Sequence, residues 1–119
     1  ELNISEKIIF AGSQPNVNEL MQAMDVFVLP SIWEGLGIVL VEAQASGVPS
    51  VVSDIVAKEV VITDLITKLS LKEGADLWAK TILEVSKYKE KINTYEHIVA
   101  AGFDIKTTSD WLEKFYLNG

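Results

Sequence analysis

Short apolar runs alternate with stretches in which apolar residues recur every three or four positions, and this alternation organises the whole chain. Lys7-Ile8-Ile9-Phe10-Ala11 is an apolar run stopped by Gly12 and predicts a buried strand. Asn16 can cap a helix, with Glu19 in the capping-box position, and Val17, Leu20, Met21 and Met24 follow at helical spacing. Asp25 to Leu29 predicts a second strand, closed by Pro30, which a central strand would not tolerate further in. Ser31 to Gly37 predicts a loop, and Ser50 to Ser53 a strand after Gly47-Val48-Pro49.

Ile38-Val39-Leu40-Val41 is the ambiguous stretch, because propensity alone favours a strand. Its continuation through the helix formers Glu42-Ala43-Gln44-Ala45 argues for a helix. Gly47 stands where a left-handed C-terminal cap belongs, with Pro49 just beyond. A helix apolar on most sides also suits a buried crossover between parallel strands. Further on, Leu65 to Leu71 predicts a last strand, and Leu77, Trp78, Thr81, Ile82 and Val85 one helical face. Ile92, Tyr95, Ile98 and Val99 form another face, ended by Ala101-Gly102. Asp104 can cap a final helix, about 104–117, with Ile105, Thr108, Leu112, Phe115 and Tyr116 as its inner face. The sum is an α/β domain, a Rossmann-like parallel sheet flanked by helices. Ligands bind such sheets beyond the carboxyl ends of the strands, here the loops 12–16 and 31–37.

Composition narrows the function classes. At 119 residues the chain has room for one domain with a real core, and 49% hydrophobic with 23% charged residues is ordinary globular balance. A net charge of −7 provides no long-range attraction for a phosphate backbone or an anionic membrane, so nucleic acid is not expected as a partner. Without cysteine there is no disulfide framework and no thiolate chemistry. The longest apolar run, Gly37 to Ala45, is too short to span a bilayer and is interrupted by Glu42. The chain opens on Glu1 without Met, shortly before an apolar run, and is expected to be an excised fragment.

The chemistry concentrates in Pro30-Ser31-Ile32-Trp33-Glu34-Gly35-Leu36-Gly37 and the helix that follows. Two glycines flanking one residue before a helix N-terminus allow close backbone approach and offer free amides, which together suit a phosphate. Glu34 and Glu42 bracket this site, and a carboxylate can accept two hydrogen bonds at once, as from a sugar diol. A diphosphate between two hydroxyl-rich rings is a nucleotide sugar.

Phe10-Ala11-Gly12, Val26 to Ser31, Glu34-Gly35-Leu36-Gly37, and Glu42-Ala43 with Ala45-Ser46-Gly47-Val48-Pro49 carry a resemblance. They resemble the donor-binding domain, the C-terminal half of the GT-B fold, of retaining two-domain glycosyltransferases of the family 4, or group 1, type. The resemblance is close from Lys7 to about Ser53 and looser beyond. It implies that residues 1–119 form a single fragment that binds a nucleoside diphosphate sugar. Glu34 would be the catalytic-site residue touching hydroxyls of the transferred sugar, with Gly35, Leu36 and Gly37 presenting amides to sugar and diphosphate. Glu42 would hold the ribose, and the Gly12-Ser13-Gln14 loop would lie near the base, with Ser13 and Gln14 the candidate contacts. No cofactor or metal is implied. The implied partner is an N-terminal acceptor domain of the same parent, and the implied setting is cytoplasmic, with peripheral contact at the inner membrane face through that other domain. Surface polysaccharide assembly is the implied context.

The sequence also departs from the family pattern. Many members follow the proline with a strand, a glycine-rich turn and a glutamate, whereas Ser53-Asp54-Ile55-Val56-Ala57-Lys58-Glu59 keeps a glutamate and lacks the glycines. The family's basic residues for the diphosphate precede the segment matching Lys7. Two alternatives stand beside this reading: a nucleotide-sugar 2-epimerase half-domain, and a noncatalytic receiver-like regulatory domain, which would need acidic residues where Gly12-Ser13-Gln14 stands. His97 is expected on the surface, Lys87 to Glu90 as a solvated face, and Trp78 and Trp111 in packing. Trp33 is open between ligand contact and loop packing. If an acceptor domain covers the last helix, Trp111 or Tyr116 would be exposed in this chain.

Overall fold

The computed structural model describes residues 2–88 and 90–118. Three parallel strands form the sheet in the order β1 (Phe27–Leu29), β2 (Ser50–Ser53), β3 (Ile66–Leu69). Phe27 pairs with Ser50 and Leu29 with Val52, while Ser50 pairs with Ile66 and Ser53 with Leu69. The helices are α1 (Val17–Ala23), α2 (Ile38–Ala45), α3 (Ala75–Val85), α4 (Tyr95–Ala100) and α5 (Ile105–Asn118).

All four residues of β2 are buried, as expected for a central strand covered on both faces. On one face Leu40 and Val41 of α2 pack with Val52, Val56, Val60 and Ile98, and with Phe27 and Leu29 of β1. Strand side chains alternate, so Val28 faces the other side, where it lines a groove with Trp78, Ala79 and Ile82 of α3. Each fully buried aliphatic side chain of this kind contributes about 1.5–3 kcal/mol relative to exposure. The core is therefore centred on the α2–β2 contact, and α2 is the buried crossover that its residues predicted. Trp78 packs as expected and donates its indole N–H to the Ser70 carbonyl at 3.1 Å.

Gln44, on the inner side of α2, has no solvent exposure. Its amide nitrogen donates to the carbonyls of Leu40 (2.9 Å) and Val60 (2.7 Å), and its oxygen accepts from Ile62 N (2.9 Å), Thr63 N (2.9 Å) and Thr63 Oγ1 (3.0 Å). Thr94 Oγ1 donates to the Gln44 carbonyl at 2.7 Å. One side chain thus fastens the 3₁₀ turn Lys58–Val60 and the strand entry at Ile62–Thr63 to α2.

Gly47 adopts φ +66°, and a Cβ built there would lie 3.0 Å from the Ile92 carbonyl oxygen. Glycine is required both for the left-handed cap and for that close approach. Gly47→Ala is expected to lower unfolding free energy by about 1–3 kcal/mol, read as a drop in urea midpoint at constant slope. An unchanged midpoint would show that α2 and the segment before α4 can move apart freely.

Several expectations are corrected. Lys7–Ala11 is not a strand: Ser5–Lys7 is a 3₁₀ turn, and Ile9 and Phe10 are exposed, Phe10 at 93%. Among the described residues the three strands pair with one another and with no further strand, so this segment joins no ladder there. The strands predicted over 25–29 and 65–71 shorten to Phe27–Leu29 and Ile66–Leu69. The Asn16–Glu19 box does not form. Asn16 Nδ2 donates to Glu19 Oε2 at 3.1 Å, because Asn16 at φ −112°, ψ 44° is outside the extended conformation that aims a cap side chain at the helix amides. Of Ile92, Tyr95, Ile98 and Val99 only Ile98 is buried, and Ile92 precedes α4.

Asp104 does cap α5, its Oδ2 accepting from the Thr107 N–H and hydroxyl, each at 2.9 Å. The bond from the Thr107 backbone, aided by the Thr107 hydroxyl, holds this carboxyl below its ordinary range. The predicted inner face of α5 is open to solvent, including Ile105, Leu112, Phe115 and Tyr116. Trp111 is 61% exposed and stacks on Phe115 with ring centroids 5.5 Å apart, so it does not pack in the core. Nothing among the described residues covers this helix. Among those residues no helix is long and apolar enough to cross a membrane. His97 is exposed, as expected.

Candidate functional site

β1 delivers the chain to the carboxyl edge of the sheet, and Pro30 ends its ladder because it lacks an N–H. Ser53 Oγ, at the end of β2, donates to the Ser31 carbonyl at 2.8 Å and pins the start of the loop. Ser31 Oγ in turn donates to Glu34 Oε2 at 2.9 Å, so the half-buried carboxylate has a fixed partner.

Gly37 closes the loop in the left-handed region (φ 75°, ψ 43°) and is the N-terminal residue bounding α2. A Cβ there would sit 3.1 Å from Glu34 Cγ and 3.9 Å from Val60 Cγ2. The absence of a side chain lets Glu34 lie directly against the start of α2, near the partial positive charge of its first-turn amides. Gly35 is the opposite case: a Cβ there would meet nothing within 4 Å, so its backbone is open to a ligand. Leu36 is half-exposed, and Trp33 is 90% exposed.

The structure therefore brings Ser31, Glu34 and Gly37 together, with Val60 behind them. Glu42 lies elsewhere on α2, exposed, lining a groove with Asn18, Gln22, Ala45 and Ser46. Ser13 is exposed on the bend before α1, and no hydrogen bond among the described residues joins it to Glu34 or Glu42. Gln14 turns its amide back onto the Ala11 carbonyl. No group of three or more His, Asp or Glu among the described residues is placed to hold a metal ion.

Sequence reasoning passed over the supports of this loop. The pattern along the chain marks Ser53 as a strand end, Gln44 as a helix former and Lys68 as one residue of a strand, without pointing to their partners. Lys68, on β3, extends its ammonium group to the Val56 carbonyl at 2.6 Å and holds the turn after β2, where the family's glycines are missing. A serine closing a strand beside a proline-terminated neighbour was the available signal.

The sequence pattern of the family described as Glycosyl transferases group 1 matches residues 1–102. The chain belongs to that family. The match takes in the whole sheet, α1 to α4 and the Glu34 loop, and stops before α5. Among similar proteins, EpsF of Bacillus subtilis (strain 168) is 47% identical over 81 residues, 67% of this chain and 21% of EpsF. The UDP-Gal:alpha-D-GlcNAc-diphosphoundecaprenol alpha-1,3-galactosyltransferase of Escherichia coli is 38% identical over 55 residues, 46% of this chain and 14% of that protein. The D-inositol 3-phosphate glycosyltransferase of Nocardia farcinica is 31% identical over 125 residues, covering 98% of this chain and 27% of its own length. The chain thus spans about a quarter or less of the curated relatives it matches. Membership in the group 1 glycosyltransferase family sets aside the receiver-like alternative.

Proposed function

We propose that this chain is the nucleotide-sugar-binding half of a retaining glycosyltransferase that moves a sugar from a nucleoside diphosphate to a hydroxyl acceptor in surface polysaccharide assembly. The observation that carries the reading is Glu34, held by Ser31 against a left-handed Gly37 at the start of α2. In transfer, the bond from the anomeric carbon to the diphosphate oxygen breaks and one to the acceptor oxygen forms, with loss of the hydroxyl proton. Negative charge grows on the leaving diphosphate, and preorganised amides at a helix start stabilise it without reorganising. Gly35, Leu36 and Gly37 supply those amides in this reading, and Glu34 accepts from hydroxyls of the sugar. Glu42 holds the ribose and the Ser13 loop lies by the base, which places the nucleoside along the α1–α2 groove. The reaction needs no metal, and an N-terminal domain of the same parent brings the acceptor. The parent works in the cytoplasm, against the inner membrane face. Relatives named for transfer to a diphosphoundecaprenol-linked sugar, for lipopolysaccharide core biosynthesis and for Vi polysaccharide biosynthesis support this context.

The test is a screen of nucleoside diphosphate sugars with the intact parent protein, with and without EDTA. Turnover of one such donor to nucleoside diphosphate and transferred or released sugar, unaffected by EDTA, is the expected result. No turnover of any donor would overturn the donor reading, and an isomerised nucleotide sugar as product would make the parent an epimerase. Loss of turnover in EDTA would overturn the metal-independent part alone.

A further inference from the structure

The hydrogen bonds behind Glu34 implicate a residue that the proposed sugar contact does not itself include. The β1–β2 ladder runs as far as Leu29 opposite Val52, and Pro30 cannot extend it. At that break the fully buried Ser53 donates its hydroxyl to the Ser31 carbonyl at 2.8 Å. Ser31 donates its own hydroxyl to Glu34 Oε2 at 2.9 Å. A central strand is thus linked, through two hydrogen bonds and one residue, to the carboxylate at the ligand edge of the sheet. A serine hydroxyl has a single proton, so that of Ser31 is committed to Oε2 and leaves Oε1 to accept from a sugar hydroxyl. If the Ser53 hydroxyl is removed, the Ser31 peptide loses the bond that sets its orientation, and the aim of Glu34 loosens with it.

We propose that Ser53 is a positioning residue for sugar transfer, holding Glu34 in its donor-facing orientation through Ser31. This rests on the reading of Glu34 as the residue that touches the transferred sugar. Rigid β2 is a suitable anchor, because small misplacement of a contacting group costs rate out of proportion to its size.

The experiment uses the intact parent and the nucleoside diphosphate sugar it turns over fastest in the screen above. Ser53→Ala is expected to lower kcat about tenfold, the loss of one neutral hydrogen bond, with KM changing by less than about twofold. Ser31→Ala should match it, and the double variant should be about as active as the weaker single, since both act on one path. Ser31→Thr, which keeps the hydroxyl, should retain most activity. Ser53→Cys, similar in size but a weak donor, carries the test if Ser53→Ala fails to fold. Wild-type kcat in Ser53→Ala or Ser53→Cys, or losses that multiply in the double variant, would overturn the proposal and leave the donor reading standing. A wild-type parent that turns over no nucleotide sugar would overturn both.

Discussion

Glu34→Ala in the intact parent is expected to reduce donor turnover by roughly 10²-fold or more, the scale of removing one preorganised contact from a charge-separating transition state. The size follows from the placement of Glu34. Its carboxylate is oriented by Ser31, lies against the start of α2 at Gly37, and adjoins a Gly35 backbone that is open to a ligand. A contact that forms as the sugar departs from its diphosphate affects kcat, whereas a ground-state contact affects KM alone. The fold should survive, because Glu34 is half-buried and outside both apolar clusters. Glu34→Gln can still accept from Ser31 and should lose less than Glu34→Ala. Steady-state turnover read beside thermal unfolding decides the matter: normal folding with undiminished kcat would remove Glu34 from the reaction.

Gln44→Leu is expected to lower unfolding free energy by about 3–5 kcal/mol, since leucine leaves the Ile62 and Thr63 amides and the Val60 carbonyl without their partner. Leucine matches the size of glutamine, so lost volume contributes little and unsatisfied polar groups dominate. Against a total stability of about 5–15 kcal/mol, such a loss is decisive for a small domain. The same change should loosen the 3₁₀ turn Lys58–Val60, which abuts the Gly37 position through Val60. Urea unfolding measures it directly, and a midpoint within experimental error of wild type would mean that water replaces the amide without cost.

The contrast between these two residues shows what the sequence makes legible. Glu34 stands out because its neighbours are sequence neighbours: Pro30, Ser31, Gly35 and Gly37 all lie within four positions. Gln44 looks like a mere helix former, since apart from Leu40 its partners lie 16 to 50 positions away, in the turn and strand entry after β2 and just before α4. Ser53 is hidden for the same reason, 22 positions from Ser31 and joined to it only by the β1–β2 register. Helix α2 was legible despite its β-branched start, because Gly47 and Pro49 punctuate its end and only a left-handed glycine fits there. The run at Lys7–Ala11 and the apolar face of α5 fail in the opposite sense. Hydrophobicity reports that a side chain prefers cover, and says nothing of whether a neighbouring strand or domain supplies it. Asn16 and Glu19 satisfy the letters of a capping box, yet backbone angles decide where the side chain points. The alternation of strands and helices survives these errors because it depends on the central elements, which bury both faces.

The central claim, that the Glu34–Gly37 loop and the start of α2 receive the donor, is tested most directly by amide hydrogen exchange. The measurement compares the intact parent with and without a saturating concentration of the nucleoside diphosphate sugar it turns over. Slower exchange at Gly35, Gly37, Ile38 and Val39 on donor addition is the predicted result. Unchanged exchange at those four amides, with protection confined to another surface such as the groove by Asp64, Glu84 and Tyr88, would contradict it.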